Sequence, residues 1–332
     1  VEVFNIVTED KGVEVSRVSL LRRDLEKASD YQSSPEEILV NSKIAPADRG
    51  SLNPVGEQVT YQPFLYPDFD WGIKPELLTH FGGNEDGRFR ADFYLKLFGK
   101  TRITQNLELY AELKQKIGGD LDVIPLDNRP NINTVRSDIA HYSREGGTAL
   151  ERLQLDYTRQ IAPDLYGRLT GGILESMYGG IGAEILYHPY ERSFAVGIDL
   201  NWVKQRDYEQ LFSFRNYQTL TGHVSLYHEN NRYGITSKLS VGRYLAGDYG
   251  ATLDLSRRFN NGVRLGFWAT YTDMSSEDFG QGSFDKGIYL TMPLEIFWYR
   301  PTTEQMRYNF RSLGRNGGQM LERKDNLYDI LS

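Results

Sequence analysis

Ser193-Phe194-Ala195-Val196-Gly197-Ile198-Asp199-Leu200-Asn201-Trp202 alternates without a break. In an extended chain successive side chains point to opposite faces, so Phe194, Val196, Ile198, Leu200 and Trp202 share one side while Ser193, Ala195, Gly197, Asp199 and Asn201 share the other. One face is wholly apolar and the other small or polar. Such a strand lies between two different solvents.

The same alternation recurs on both sides of it. Phe89, Ala91, Phe93, Leu95 and Leu97 oppose Arg88, Arg90, Asp92, Tyr94 and Lys96, and Leu107, Leu109, Ala111 and Leu113 oppose Glu108, Tyr110, Glu112 and Lys114. Similar stretches around Leu155, Leu169, Val224, Leu239, Leu253, Phe267 and Ile288–Trp298, with weaker ones at 71–81 and 179–187, predict about twelve strands. Most have the ~9–11 residues that cross a bilayer on a tilt. A soluble closed barrel would turn its apolar set inward, and about twelve strands would enclose more volume than side chains fill. The inverted arrangement, apolar face to lipid and charged face to a lumen, removes that difficulty. The expected fold is therefore all-β, a transmembrane outer-membrane β-barrel of about twelve antiparallel strands, an even number as bacterial barrels use.

Composition agrees. Among 332 residues there are 22 Tyr and 32 Gly, the residues that girdles and curved strands consume, and no apolar run approaches the ~18 residues of a spanning helix. The net charge of −7 excludes binding driven by nucleic-acid phosphates, and the absence of Cys excludes disulfides, thiolate metal sites and cysteine nucleophiles. Connections alternate as well. Short turns at Gly99–Ile103, Gln160–Asp164, His188–Arg192, Glu229–Asn231 and Asn260–Gly262 follow even-numbered strands, and the long loops Gly118–Thr148, Gln205–Tyr217 and Asp273–Lys286 follow odd ones. An even strand count puts both ends of the barrel on the short-turn, periplasmic side.

Residues 1–50 read as a small periplasmic α/β module: a hairpin turning at Glu9-Asp10-Lys11-Gly12, then a helix opened by Ser33-Ser34-Pro35-Glu36-Glu37. Residues 51–70 read as a linker, 71–299 as the barrel and 300–332 as a periplasmic tail. Val1 is neither Met nor part of a signal peptide, which predicts a mature chain or an excised portion.

The predicted lumen face carries Glu108, Glu112, Asp156, Glu184, Asp199, Asp254 and Glu295 with Arg90, Lys114, Arg152, Arg168, Lys238 and Arg264. Mixed signs argue for ion pairs that fill and stiffen the barrel rather than for a single-sign selectivity ring. Catalytic signals are weak. The five His are scattered, and no zinc motif, nucleophile elbow or phosphate loop occurs. His223 has lumen phase, with Ser225 and Ser256 on neighbouring strands. Asp120, Asp122, Asp127 and Asp138 lie in one long loop without EF-hand spacing. No catalytic residue, metal or cofactor is assigned.

Several longer motifs are specific. Gly172-Ile-Leu-Glu-Ser-Met-Tyr-Gly-Gly-Ile-Gly-Ala-Glu-Ile-Leu-Tyr-His-Pro189, Asp199-Leu-Asn-Trp-Val-Lys-Gln-Arg-Asp207, Gly242-Arg-Tyr-Leu-Ala-Gly-Asp248, Phe279-Gly-Gln-Gly-Ser-Phe-Asp-Lys-Gly287 and Arg315-Asn-Gly-Gly-Gln319 resemble the YjbH family of exopolysaccharide-associated outer-membrane proteins, which includes the GfcD-type proteins of group 4 capsule systems. The resemblance covers nearly the whole chain. It implies a Gram-negative outer-membrane barrel in polysaccharide secretion, with membrane lipid, the exopolysaccharide and periplasmic secretion proteins as partners. Family members are about twice as long, which makes this the C-terminal half and adds a preceding barrel half as a partner. Asn316 stands where the family motif has Asp, which puts a charge role there in doubt.

These motifs fall on hairpins at one rim, where Glu175, Tyr178, Glu184, Arg206, Asp207, Tyr244 and Asp248 are the candidate polysaccharide-binding residues. Sugars offer hydroxyls to polar groups and C–H faces to aromatic rings, so Tyr178, Arg206, Asp207, Tyr244 and Asp248 together would form a recognising patch. The alternative is an inward fold of the loops in which Arg206 pairs with Asp207 or Asp248. For function, a secretion component leads. Behind it stand a non-conducting docking module and, resting on Asp156, Glu184 and Asp199, a glycan hydrolase.

Overall fold

The computed structural model describes residues 2–10, 13–45, 66–81, 89–123, 134–190, 192–275, 279, 284–297, 304–312 and 316–331. At the start of the chain β1 (Val3–Asp10) and β2 (Val13–Leu21) form the expected hairpin, and β3 (Lys43–Ala45) adds to β2. Between them lie α1 (Arg22–Ser29), which the sequence reading lacks, and α2 (Pro35–Asn41). Ser34 caps α2, its Oγ accepting from the Glu37 N–H at 3.3 Å, and Pro35 occupies the first turn where no donor is needed. Most of the predicted linker, 51–65, lies outside the described residues.

The barrel strands are β4 (Asp68–Phe81), β5 (Phe89–Thr104), β6 (Leu107–Gly119), β7 (Thr148–Ala162), β8 (Leu165–Ile173), β9 (Tyr178–Tyr187), β10 (Phe194–Arg206), β11 (Phe214–Asn230), β12 (Ile235–Arg243), β13 (Tyr249–Arg258), β14 (Arg264–Thr272), β15 (Asp285–Pro293) and β16 (Gln305–Ser312). They close on themselves. The apolar phase is outermost: Ile198, Leu200 and Trp202 are about half exposed, whereas Asn201 is 1% exposed. Exposed aromatic residues ring both ends, Phe69, Trp71, Tyr187, Phe194 and Phe259 at the short-turn rim and Phe89, Phe214, Tyr249 and Tyr271 at the other. Between them the outer face is mostly Leu, Ile and Val, the pattern of a bilayer-spanning barrel.

Thirteen strands close the barrel, not twelve. The additional one, β16, lies in the stretch expected to be an external tail. Neighbours in a meander run antiparallel, so an odd number brings the first and last strands together parallel. β16 indeed pairs parallel to β4, through only Phe310↔Thr79, Arg311↔His80 and Ser312↔Phe81. The even count and the placing of both barrel ends at one rim are thereby corrected: the chain enters β4 at the short-turn rim and leaves β16 at the long-loop rim. The strand read as continuing to Trp298 ends at Pro293, where a 3₁₀ turn (Leu294–Ile296) begins. Glu295, expected to line the lumen, is therefore exposed on that turn. Leu294, expected to face lipid, is buried against Phe98, Tyr110 and Met306.

Candidate functional site

After β16 the chain turns into the barrel. Residues 316–331 run the length of the lumen from the long-loop rim to the short-turn rim and end in the one-turn helix α4 (Leu327–Leu331). This path differs from the tail at 300–332 expected beyond the barrel. At the upper rim Asn316 Oδ1 accepts from the N–H groups of Val135, Arg136 and Ser137 at 3.0–3.2 Å. That role needs an oxygen acceptor rather than a charge, so Asn serves at the position where Asp was expected. Gly318, at φ +70°, sends its N–H to Asp248 Oδ2 at 2.7 Å, and Gln319 donates to Asp285 at 3.0 Å.

Deeper in the lumen the segment meets the charged wall. Arg323 donates to Glu184 Oε2 at 3.1 Å and lies 3.9 Å from Asp199, while Glu184 Oε1 accepts the Leu327 N–H at 3.0 Å. Lys324 bonds Glu304 at 2.6 Å and sits 3.5 Å above the Tyr110 ring. Arg168, paired with Asp156 at 2.8 Å, also donates to the Asp325 carbonyl. Arg264 reaches Asp329 at 3.6 Å. At the bottom Tyr328 stacks on Tyr227, centroids 4.1 Å apart, and Leu327 and Leu331 pack with Tyr166, Leu186, Ala195 and Val13. Val13 belongs to the N-terminal hairpin, so that hairpin packs at the lower mouth beside α4.

Other lumen charges pair across strands: Lys74–Glu112 at 2.6 Å, Lys96–Glu76 at 2.8 Å and Lys114–Glu151 at 2.6 Å. Glu108 is buried in this face, and Asp254 accepts from the Tyr289 hydroxyl at 2.9 Å. Asp156, Glu184 and Asp199, the carboxylates considered for hydrolysis, each face a cation of the wall or of the threaded segment. His223 Nδ1 lies 3.9 Å from Asp199, and Ser225 bonds Ser240 at 2.8 Å rather than His223.

Of the rim candidates, Glu184 lies deeper on the lumen wall, and the others are brought together at the long-loop rim. Arg206 is completely buried and donates to five main-chain carbonyls, those of Leu150 (2.8 Å), Glu175 (2.9 Å), Ser176 (3.1 Å), Gln210 and Leu211 (2.9 Å). Its partners are carbonyls rather than Asp207 or Asp248. Asp207 folds its own loop, its Oδ1 accepting the Tyr208 N–H at 2.9 Å. Glu175 holds Arg136 at 2.9 Å and the Glu322 N–H at 3.1 Å. Tyr178 and Tyr244 are 0% exposed, the first under Arg136 and the second bonded to Thr252 at 2.7 Å. The expected surface patch is thus the inner packing of the loops around the threaded segment.

Loop electrostatics follow burial. It pushes the carboxyls of Glu175, Asp138 and Asp248 above the usual range despite Arg136, Arg215 and the Gly318 N–H beside them. Burial would also raise Glu304, but Lys324 and Lys74 override it and hold that carboxyl low. The long loop between β6 and β7 folds into the mouth through α3 (Ile139–Glu145), with Tyr142 donating to the Arg206 carbonyl at 2.6 Å. Asp120 and Asp122 face Arg90 and Lys116, Asp138 pairs with Arg215, and Asp127 lies outside the described residues. Among the described residues no cluster of metal-ligating side chains occurs.

Since each tyrosine hydroxyl serves one internal bond, Tyr178→Phe with Tyr244→Phe is expected to cost about 1 kcal/mol per bond. The variant should assemble fully, with secreted polysaccharide unchanged. Normal heat-modifiable protein with a fall in secretion would restore the surface-patch reading.

A closed barrel with a lipid-type outer face, aromatic girdles and a charged lumen filled by its own chain defines an outer-membrane β-barrel protein. The YjbH family model, described as "Exopolysaccharide biosynthesis protein YbjH", matches residues 1–332, and the chain belongs to that family. The "Uncharacterized lipoprotein YjbH" of Escherichia coli (strain K12) is 36% identical over 295 residues, 85% of this chain and 41% of that protein. The chain thus spans about two fifths of the length of that curated relative. Among solved structures, Salmonella typhi OmpF in complex with daunomycin aligns at TM-score 0.37 and 12% identity over 80% of this chain and 94% of that one. The Vibrio cholerae outer-membrane protein OmpT with loop L8 deleted aligns at 0.31 and 9% over 68% and 86%.

Proposed function

We propose that this chain is a plugged outer-membrane barrel of an exopolysaccharide secretion apparatus, and that residues 316–331 are its resident plug. The observation that supports this reading most is the threaded segment itself, because it fills a lumen wider than side chains alone would fill and is held mainly by polar contacts. Ion pairs exchange readily for water once a segment withdraws, whereas a packed apolar core does not. In this reading the short-turn rim and the N-terminal module face the periplasm, where secretion proteins and a preceding barrel half would engage them. Glycan would pass when the plug is displaced.

Arg323→Glu tests it by setting a carboxylate against Glu184 and Asp199. Planar-bilayer recordings should show frequent openings, and adding Glu184→Lys should restore the quiet state by re-forming the pair with opposite signs. Silent recordings from an assembled Arg323→Glu barrel would reject a plug held by charge. The second reading, a non-conducting docking module, is favoured by the contacts that residues 316–331 make along the lumen from Asn316 to Leu331. It predicts that secretion survives when the plug is covalently fixed.

A further inference from the structure

In the lumen Lys74, Lys96, Lys114, Arg168 and Arg323 each meet a carboxylate. Two arginines at the short-turn rim do not. Arg257 follows Leu253 and Leu255 in the lipid-facing phase of β13, and Arg232 lies in the turn between β11 and β12. Both are exposed, and among the described residues neither guanidinium has an ion-pair or hydrogen-bond partner. Each instead lies over an aromatic ring of the girdle. The Arg232 guanidinium carbon is 5.6 Å from the centre of the Tyr233 ring, and that of Arg257 is 5.2 Å from the centre of the Phe259 ring. Tyr233 is 53% exposed and Phe259 41%. Rings in such belts sit at the level of the lipid headgroups, so they hold the two guanidiniums at that level.

Main-chain contacts set the two pairs side by side. Ile235 pairs with Arg257 across β12 and β13, and the Arg258 N–H donates to the Gly234 carbonyl at 2.8 Å. The approach needs glycine: Gly234 has φ +62°, and a Cβ there would come within 2.5 Å of the Arg258 carbonyl oxygen. The turns at 231–234 and 259–263 contain no carboxylate, and Asn231, Asn260 and Asn261 are exposed on them. Of the charges around them, Glu229, Asp254 and Arg258 carry the lumen phase of their strands, and Asp329 reaches Arg264. His228 is exposed on the lipid-facing phase of β11. The patch is therefore cationic on its lipid side. Towards the middle of the bilayer it continues into Leu239, Leu253 and Leu265, all exposed.

We infer that these two turns form a binding site for an anionic phospholipid, with Arg232 and Arg257 on its phosphate oxygens and its acyl chains along Leu239, Leu253 and Leu265. Two guanidiniums without a carboxylate match a headgroup that carries two phosphates and no cation. A zwitterionic headgroup fits less well, because its ammonium meets the same two positive charges. The site rests on the barrel's outer surface and is independent of the secretion reading. In the proposed orientation it lies in the periplasmic leaflet.

The test mixes the full chain, folded in detergent, with cardiolipin or phosphatidylethanolamine and reads bound lipid by native mass spectrometry. Cardiolipin should bind saturably and about tenfold or more tighter than phosphatidylethanolamine. Arg232→Gln with Arg257→Gln should abolish that preference while the heat-modifiable form is unchanged, since neither side chain holds the fold. Arg159→Gln removes another exposed arginine in lipid-facing phase, on β7 at the same rim, and should leave the preference intact. Equal binding of the two lipids, a preference that the double variant keeps, or one that Arg159→Gln lowers as much would each overturn the site. Release of bound cardiolipin by inorganic phosphate at millimolar concentration would overturn the lipid assignment and leave a simple anion site.

Discussion

Removal of residues 316–332 should leave an assembled barrel whose unitary conductance exceeds that of the intact chain by about tenfold or more, given that thirteen strands lie between the eight that side chains fill and the sixteen of open pores. Assembly should survive because no barrel strand lies in the deleted segment. The strand ladders and the lipid-facing surface end at Ser312. The charges uncovered, among them Glu184, Glu304 and Asp199, meet lumen water rather than a dry interior, so the large penalty of orphaned buried charge does not apply. What is lost is the apolar knot of Leu327, Tyr328 and Leu331 against Tyr166, Leu186, Tyr227 and Val13. At about 1.5–3 kcal/mol for each large apolar side chain, a lowered melting temperature should accompany the opening. An assembled, truncated barrel that conducts no better than the intact one would remove the plug from the secretion model.

The fold was legible because its signal is repeated. Each strand from β5 to β14 carries the period-two pattern, and a charged inner face with Leu and Phe outside has one solution in lipid. The thirteenth strand carried a signal too: Met306, Tyr308 and Phe310 alternate with Gln305, Arg307, Asn309 and Arg311. An expected even count left it no place. The plug was not legible for a different reason. Glu322-Arg323-Lys324-Asp325 reads as a solvated charge run, and only its three-dimensional partners, Glu184, Glu304 and Arg168, make it an interior segment. Of the motif residues read as one rim group, Glu184 lies deeper on the lumen wall and the others meet at the long-loop rim. Their burial could not be read locally, because it depends on α3 and the threaded segment folding over them from distant parts of the sequence, as in Tyr142 to Arg206.

Arg206→Ala is expected to have the largest effect of any single substitution at the rim. Its guanidinium ties the start of β7 at Leu150, the loop after β8 at Glu175 and Ser176, and the loop after β10 at Gln210 and Leu211 into one knot. Hydrogen bonds to a charged group contribute about 1.5–3 kcal/mol each, but they act on shared loops and do not add in full. A loss of about 3–5 kcal/mol is the reasonable expectation, similar to breaking a buried ion pair. The damage should be local first. Arg206 is the last residue of β10 and pairs with Phe214 through its main chain, which alanine keeps, so the barrel should still form, with the loops at 174–177 and 207–213 opened to protease and its heat-modifiable form melting at lower temperature. Arg206→Lys should fall between the two, because one ammonium with three donors cannot reach the five carbonyls that the planar guanidinium spans. Loops that resist protease as well in Arg206→Ala as in the parent would show that α3 and the threaded segment hold the rim without this knot.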